Sequence, residues 1–280
     1  MPASHEAGEL KSVALDARSL AWLRAQIQLG ADPHESIALL RQQGFSEAAI
    51  IQGFEAVRPR GNALSAAQPP PLIRRAPANL ARVDTTKMEL YTLADFLTAA
   101  ECAALVELVT ANLKPSLVAA DYSAPGARTS RTAYLAQLQD PLAAEVDDRI
   151  CRTLGIRAAY SEGIQAQRYD AGQEFKPHWD AFAPGTDTYK RLAGLRGNRT
   201  WTFMVYLNDG MQGGATRFTE IDHAVSPRTG MAVLWNNLDA RGLPNIATRH
   251  CGEPVTRGHK VIITKWFRVH GDGPVFHEEQ

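Results

Sequence analysis

Two residues with metal-binding side chains stand two positions apart in the stretch RYDAGQEFKPHWDAF, residues 168–182. They are His178 and Asp180, with Trp179 between them. On a β-strand, residues i and i+2 point to the same side, so both side chains could reach one ion. Two imidazoles and one carboxylate form the facial triad of non-haem Fe(II) sites, which leaves positions open for a bidentate cosubstrate and O₂. Because an isolated His-x-Asp is frequent by chance, the assignment depends on a third ligand elsewhere.

A later segment, TRHCGEPVTRGHKVIITKWFR, contains both a candidate third ligand and an unusual lysine. The histidines that could complete the triad are His223, His250, His259 and His270. Lys260 follows His250 by ten residues and opens a strand on which every second residue, as far as Arg268, shares its face. If that face lines a barrel, Lys260 is a buried cation that needs an anionic partner. A dicarboxylate cosubstrate would supply one.

The elements that must position these residues lie between residues 86 and 280. Two helices are predicted. The first begins at a capping box formed by Thr98 and Glu101. The second has Asp140 as its N-cap and Pro141 as its first residue, and it ends at Gly155. Strand patterns dominate after them. In RTWTFMVYLND, the apolar residues from Trp201 to Leu207 occupy every second position, which is typical of a strand. The segments GMAVLWNN and KVIITKWFRV are also strand-like. Short strands with Gly and Pro turns predict a jelly roll or barrel, which with the two helices gives an α+β domain.

The first 58 residues predict a separate all-α module of three helices. Asp32 and Ser46 are the expected N-caps of its second and third helices, and Gly44 ends the second. Residues 59–85 include three consecutive prolines and are rich in Ala and Arg, which predicts a linker.

Composition excludes several classes of function. The chain has 280 residues, with 30 Lys plus Arg against 30 Asp plus Glu, and this balance disfavours a dedicated nucleic-acid or membrane-surface protein. Three cysteines, far apart, build neither a disulfide framework nor a Cys-rich zinc site. With no signal-peptide pattern and no apolar run long enough to span a bilayer, the expected compartment is the cytoplasm.

Four segments in order resemble the 2-oxoglutarate and Fe(II)-dependent dioxygenases, specifically the prolyl 4-hydroxylase branch. The segments are RYDAGQEFKPHWDAF, NRTWTFMVYLNDGMQGGATRFTE, VSPRTGMAVLWNN and RHCGEPVTRGHKVIITKWFR. The resemblance covers roughly residues 86–270. It implies a double-stranded β-helix (jelly-roll) core with flanking helices, and Fe(II), 2-oxoglutarate and O₂ as cofactor and cosubstrates, with ascorbate as a candidate reductant.

The resemblance also implies roles for individual residues. His178, Asp180 and His250 correspond to the iron ligands. Lys260 corresponds to the residue that pairs with the far carboxylate of 2-oxoglutarate. Tyr169 corresponds to a hydroxyl donor to the same carboxylate, and Thr202 to a position beside the cosubstrate.

Contacts to the substrate are implied with less support from the residues themselves. Residues 123–135, SAPGARTSRTAYL, occupy the place of the loop that closes over the peptide in this family. The residues that match substrate-side positions are Arg199, Trp266 and Arg268, with Arg128 and Arg131 as further candidates from the loop. A solvated loop arginine and a core tryptophan are the plain alternatives.

The expected function is hydroxylation of a prolyl residue in a protein or peptide, with 2-oxoglutarate converted to succinate and CO₂. One alternative is the same chemistry on a free amino acid, another small molecule or an alkylated nucleobase. Another is a non-catalytic binding protein that keeps the fold. The N-terminal module is expected to recruit a macromolecular substrate, and the alternative is fold stabilisation or dimerisation.

Overall fold

The structure, a computed structural model of the chain, describes residues 14–29, 31, 33–116 and 127–278. The chain divides into two compact units, Met1–Pro59 and Arg60–Gln280. Of the helices in these described ranges, none combines the length and hydropathy that crossing a bilayer requires.

From residue 14 onward, where its description begins, the N-terminal unit contains three helices: α1 (Ala17–Leu29), α2 (Pro33–Gln42) and α3 (Glu47–Ala56). Ser46 caps α3 as predicted, since its hydroxyl accepts a hydrogen bond from the Ala49 amide at 3.2 Å. Gly44 follows α2 with a positive φ of 87°, the left-handed conformation that suits glycine after a helix. The predicted cap Asp32 lies outside the described residues. Leu23, Leu40 and Ile50 are among the buried residues of a small apolar core.

The described residues of the second unit form four α-helices: α4 (Pro71–Arg75), α5 (Ala99–Ala111), α6 (Pro141–Leu154) and α7 (Asp187–Ala193). The Thr98–Glu101 capping box opens α5, and Asp140 caps α6, which ends at Gly155 with φ 85°. These two helices match the sequence prediction, because their caps are local signals.

The described residues of the second unit form strands of two to ten residues. They are β1 (Leu80–Arg82), β2 (Leu90–Leu93), β3 (Lys114–Pro115), β4 (Arg131–Ala133), β5 (Gln165–Asp170), β6 (Phe175–His178), β7 (Arg199–Tyr206), β8 (Gln212–Gly213), β9 (Thr216–Phe218), β10 (His223–Val225), β11 (Ala232–Asn236), β12 (His250–Gly252), β13 (Val255–Arg257) and β14 (His259–Arg268).

Two antiparallel sheets form the body of this unit. The large sheet has the order β1-β2-β11-β7-β14-β5-β4-β3, and the small sheet has the order β10-β9-β12-β6. Strands β8 and β13 make a separate pair. Apolar side chains of both sheets form one core, to which the large sheet contributes Met204 and Trp235 and the small sheet contributes Phe218. The fold is therefore the predicted double-stranded β-helix of an α+β protein.

The central strand β7 of the large sheet packs against other residues on both of its faces. Its residues Trp201, Phe203 and Val205 pack in a second core with side chains of α5 and α6, whereas Met204 and Tyr206 belong to the core between the sheets. Alternation of side chains along a strand produces this division. Both faces of β7 are consequently buried.

The segment predicted as a linker, residues 59–85, has a different structure. Residues 60–76, here called the strap, bind along the second unit: the Gly61 amide donates to the Gly271 carbonyl at 2.9 Å, and the Leu64 amide donates to the Val269 carbonyl at 2.8 Å. Leu64 and Leu72 are buried in its core. The prolines favoured an extended linker, but Pro71 instead begins α4, a position where its missing N–H costs nothing.

Candidate active site

Three side chains with metal-binding atoms converge between the two sheets. His178, Asp180 and His250 each offer one ligand atom, and these atoms all lie within 4.8 Å of one another. His178 ends β6 and His250 begins β12, and the two residues are directly opposite in the antiparallel pairing. The Oδ1 atom of Asp180 lies 3.8 Å from Nε2 of His178 and 4.0 Å from Nε2 of His250. All three side chains are buried.

Backbone carbonyls orient both imidazoles. Nδ1 of His178 lies 2.9 Å from the Lys176 carbonyl, and Nδ1 of His250 lies 2.9 Å from the Thr248 carbonyl. Because a carbonyl only accepts, Nδ1 carries the proton in each ring and Nε2 keeps its lone pair. Burial, with the neighbouring His250, lowers the pKa of His178 to about 3. The His178 ring is thus held in the neutral form that binds a metal.

The donor set fits a six-coordinate Fe(II) better than a closed zinc site. Two imidazole nitrogens and one carboxylate oxygen supply three ligands, and no cysteine belongs to this cluster. The ligands face an open cavity. Its lining comprises Arg128, Gln167, Tyr169, Phe175, His178, Asp180, Met204, Thr216, Trp235, His250, Gly252, Lys260, Ile262, Thr264 and Trp266.

Lys260 forms another polar feature of the cavity. Its side chain is 1 % exposed, and Nζ donates to the Gly214 carbonyl at 2.8 Å. Among the described residues, no carboxylate lies within salt-bridge distance of it. Burial lowers the pKa of Lys260 to about 8. A buried ammonium without a counterion is costly, so this position suits an anionic ligand.

A glycine leaves room beside that ammonium. A Cβ placed on Gly252 would lie 3.3 Å from Nζ of Lys260 and 3.7 Å from Phe175. The space that a side chain would fill is therefore open for a ligand carboxylate, which fits the far end of 2-oxoglutarate.

Tyr169 lies across the sheet from Lys260 and lines the same cavity. The two residues are Cα partners in the pairing of β5 with β14, and Nζ of Lys260 is 4.6 Å from the centre of the tyrosine ring. Within the described part of the chain, the Tyr169 hydroxyl makes no hydrogen bond. It is therefore free to donate to a ligand, which agrees with the role that the resemblance implied.

Thr202, which the resemblance placed beside the cosubstrate, does not line the cavity. It is fully buried behind Asp180, donating from Oγ1 to Oδ2 of Asp180 at 2.7 Å. Nδ2 of Asn237 donates to the same Oγ1 at 2.8 Å. Nothing in the sequence indicated Asn237, since an asparagine at the end of a strand gives no sign that it contacts a residue as distant in sequence as Thr202.

Arg199 lies against Trp266 but, unlike Trp266, is not among the residues that line the cavity. The guanidinium carbon of Arg199 lies 3.8 Å from the centre of a Trp266 ring, and Trp266 lines the cavity. Glu162, also missed from the sequence, accepts two hydrogen bonds of 2.8 Å from Arg199. Although burial alone would raise the pKa of Glu162, Arg199 and then Arg268 lower it to about 2.

Arg268 was predicted to contact substrate, but the structure places it away from the cavity. It is buried, donates to Glu162 at 2.9 Å, and donates to the Gly197 carbonyl at 2.7 Å. The register between β14 and β7 shifts between Trp266 and Arg268. The alternation that leads from Lys260 to Trp266 therefore does not extend to Arg268, which stabilises the fold instead.

Arg131 is also outside the cavity. It lies on β4 rather than in a loop, its side chain is 45 % exposed, and it donates to Asp170 at 2.8 Å. The first part of the predicted loop, residues 123–126, lies outside the described residues. Arg128 does line the cavity, with its guanidinium carbon 5.0 Å from the centre of the Phe175 ring.

Comparisons with known proteins agree with this geometry. The family described as the 2OG-Fe(II) oxygenase superfamily matches residues 164–268. Mouse prolyl 4-hydroxylase subunit alpha-1 is 35 % identical over 175 residues, covering 59 % of this chain and 32 % of that protein. Chicken prolyl 4-hydroxylase subunit alpha-2 is 35 % identical over 146 residues, covering 52 % and 27 %. The chain therefore spans about a third of the length of these curated relatives.

A solved structure supports the fold. The viral collagen prolyl hydroxylase of Paramecium bursaria Chlorella virus-1, determined as a 2-oxoglutarate complex, superposes with a TM-score of 0.50 at 23 % identity. The match covers 64 % of this chain and 96 % of the viral one. At that identity it bears on the architecture alone. The family match spans residues 164–268 and so includes the three metal-binding residues and Lys260.

Proposed function

We propose that this protein is an Fe(II)- and 2-oxoglutarate-dependent dioxygenase that hydroxylates a prolyl residue of a protein or peptide. The reaction consumes O₂ and 2-oxoglutarate and yields succinate, CO₂ and the hydroxylated residue. One observation carries the proposal: the cluster of His178, Asp180 and His250 lines the same cavity as the buried ammonium of Lys260. The prolyl substrate is suggested by relatives that are prolyl 4-hydroxylase subunits.

The side chains have distinct tasks in this reaction. When bound, Fe(II) supplies the redox chemistry that couples decarboxylation of 2-oxoglutarate to insertion of an oxygen atom into a C–H bond. His178 and His250 would hold it through Nε2, and Asp180 would hold it through Oδ1. Lys260 pairs with the far carboxylate of 2-oxoglutarate, and the Tyr169 hydroxyl donates to the same group. Buried polar contacts of this kind orient a ligand in a site from which bulk water is excluded.

The stacked pair of Arg199 and Trp266 would position the substrate. Stacking of a guanidinium on an indole makes a flat, rigid surface, and Glu162 fixes the arginine through two hydrogen bonds. A prolyl ring has the size and apolar character to pack on such a surface. We include Arg199 and Trp266 in the proposed substrate site and exclude Arg268 and Arg131.

The decisive experiment is an anaerobic titration of the purified protein with Fe(II) and 2-oxoglutarate, followed by its visible charge-transfer band. We expect the band in the wild type and its loss in His178→Ala. Proline-containing peptides and free amino acids would then be compared with O₂ present, using succinate release and the mass of one added oxygen. Turnover of free amino acids alone would favour the small-molecule alternative, and metal-free protein that still binds a partner would favour the non-catalytic one.

Three further proposals concern the protein in the cell. The balanced charge and the three free cysteines support a cytoplasmic location, which fractionation would test. Ascorbate is proposed as the reductant, to be tested by its effect on sustained turnover.

The N-terminal unit is proposed to recruit a protein substrate, because the apolar side chains of Leu39 and Ile51 are 46 % and 63 % exposed. Leu39→Glu with Ile51→Glu should then raise KM for the protein substrate but not for a short peptide.

A further inference from the structure

A chain of three hydrogen bonds reaches the metal-binding carboxylate from the interior of the large sheet. Nε1 of Trp235 donates to Oδ1 of Asn237 at 2.9 Å. Nδ2 of Asn237 donates to Oγ1 of Thr202 at 2.8 Å, and Thr202 donates to Oδ2 of Asp180 at 2.7 Å. Each of the four side chains is at least nine-tenths buried, so water does not compete for these bonds.

The direction of every bond in this chain is determined by its first donor. An indole N–H can only donate, so the atom of Asn237 that faces Trp235 must be its oxygen. Its amide nitrogen therefore faces Thr202, whose hydroxyl oxygen must accept there. The single hydroxyl proton of Thr202 is left for Asp180. Oδ2 of Asp180 consequently accepts a hydrogen bond in a defined direction.

The other oxygen of the same carboxylate has a different environment. Oδ1 of Asp180 is the atom found 3.8 Å and 4.0 Å from the imidazole nitrogens of His178 and His250. With Oδ2 engaged by Thr202, only Oδ1 points into the cluster. A carboxylate held in this way supplies one ligand atom rather than two.

We propose that Thr202 is a positioning residue of the metal centre, which makes Asp180 a one-oxygen ligand and so preserves the open coordination positions. Asn237 and Trp235 act through it by fixing the direction of its hydrogen bond. The inference rests on the proposed metal site, and it adds a task for residues that do not contact the metal. Without the Thr202 hydroxyl, Asp180 could rotate and bind through both oxygens, which would occupy a position that the cosubstrate or O₂ requires.

The location of Thr202 suits this task. It is the Cα partner of Trp235 on β11 and of Trp266 on β14, in the middle of the large sheet. Asp180, in contrast, follows β6 of the small sheet by two residues. The bond between them therefore ties the metal-binding region to the most buried part of the fold.

The experiment is an anaerobic titration of the full-length protein with Co(II), whose visible absorption reports both affinity and coordination number. Thr202→Val removes the hydroxyl and keeps the shape of the side chain, and Thr202→Ser restores the hydroxyl. Thr200→Val is the matched control. Thr200 is buried on the same strand, and its hydroxyl donates to the Phe267 carbonyl at 3.1 Å, away from the metal cluster.

We expect Thr202→Val to weaken Co(II) binding by about 10- to 100-fold, the usual loss when an outer partner of a ligand is removed. Its absorption should also change in intensity and position. Thr202→Ser and Thr200→Val should bind and absorb like the wild type, even where Thr200→Val lowers the melting temperature as much as Thr202→Val. If Thr202→Val does not fold, Thr202→Ala is titrated in its place with the same expectation.

Two results would overturn the inference. One is wild-type Co(II) affinity and spectrum in the Thr202 variants that lack the hydroxyl. The other is an equal change in Thr200→Val, which would show a general effect of packing. Failure of the proposed function would look different: a wild type that binds no Co(II) removes the metal site and this inference together, whereas a wild type that binds Co(II) but turns over no prolyl peptide leaves the inference intact.

Discussion

The two sheets contribute different kinds of residue to one cavity. The small sheet carries His178 and His250 on strands of four and three residues. The large sheet carries Lys260 and Trp266 on a strand of ten residues, nine of them buried. The long strand is supported on both faces and needs no ligand to hold its side chains. The strands of the small sheet have only three or four residues each, so we expect metal binding to stabilise the small sheet more than the large one.

The largest effect should follow loss of a metal ligand from the small sheet. His178→Ala or His250→Ala should abolish turnover and weaken Fe(II) binding by more than the roughly 10- to 100-fold that loss of an outer partner costs. Titration with Fe(II) and an assay of succinate release would measure both. His223→Ala, on β10 of the same sheet, is the control and should remain active. Full activity in either ligand variant would contradict the assignment of the triad.

A change in the large sheet should separate cosubstrate binding from metal binding. Lys260→Ala should weaken 2-oxoglutarate binding by about 2–5 kcal/mol, the typical cost of truncating one partner of a buried charge pair. Its affinity for Fe(II) should stay that of the wild type. Calorimetry with each ligand would measure both, with Lys190→Ala, an exposed lysine, as the control. Equal loss of both affinities would show that the two sheets do not act separately.

A substitution at Glu162 tests the stability of the large sheet without changing a residue that is proposed to bind the metal or 2-oxoglutarate. Its pKa is about 2 in the folded protein and 4.5 in the unfolded chain, so the folded state binds fewer protons between these values. This contribution is fully present above pH 4.5 and is lost as the pH falls toward 2. It amounts to about 3 kcal/mol, since one pKa unit corresponds to roughly 1.4 kcal/mol.

We therefore expect Glu162→Gln to lower the free energy of unfolding at neutral pH and to flatten its dependence on acid pH. Urea unfolding at a series of pH values would measure this. Glu174→Gln, whose carboxylate pairs with exposed Lys176, is the comparison and should change little. An unchanged acid dependence in Glu162→Gln would contradict the linkage.

The smallest effect concerns the pH dependence of 2-oxoglutarate binding. The pKa of Lys260 is about 8, so the ammonium is present below that pH and is lost above it. The affinity for 2-oxoglutarate should be constant below pH 8 and fall by at most about tenfold per pH unit above it. Lys260→Arg keeps its charge at all these pH values and should lose the dependence. A wild-type affinity that does not change up to about pH 10 would rule out this titration.

Local signals in the sequence were enough to predict much of the fold and part of the site. The caps at Thr98 and Asp140, and the alternation from Trp201 to Leu207, depend on neighbouring residues alone. The spacing of His178 and Asp180 does so as well, and the resemblance supplied His250 and Lys260.

What the sequence did not predict depends on contacts between distant segments. Glu162 is a single acidic residue before a strand, and nothing near it indicates that it binds two arginines. The position of Arg268 depends on a register shift, which alternation counting cannot detect. The hydrogen bond from Thr202 to Asp180 was not predicted, because a strand pattern gives the face of a residue and not the atom that its hydroxyl reaches.

The strap determines how far the second unit can be truncated from its N-terminal side. The Ala66 carbonyl accepts a hydrogen bond of 3.0 Å from Asn236, the residue before Asn237, and the Tyr160 hydroxyl donates to the Asn62 carbonyl at 2.6 Å. Removing the strap would delete Leu64 and Leu72 from the core and lose about 1.5–3 kcal/mol of burial free energy for each leucine. It would also release the end of β11, from which Asn237 reaches Thr202. A truncated protein that begins at Arg60 should therefore retain its metal site, whereas one that begins at residue 86, where the composition suggested the domain starts, should lose both stability and metal affinity.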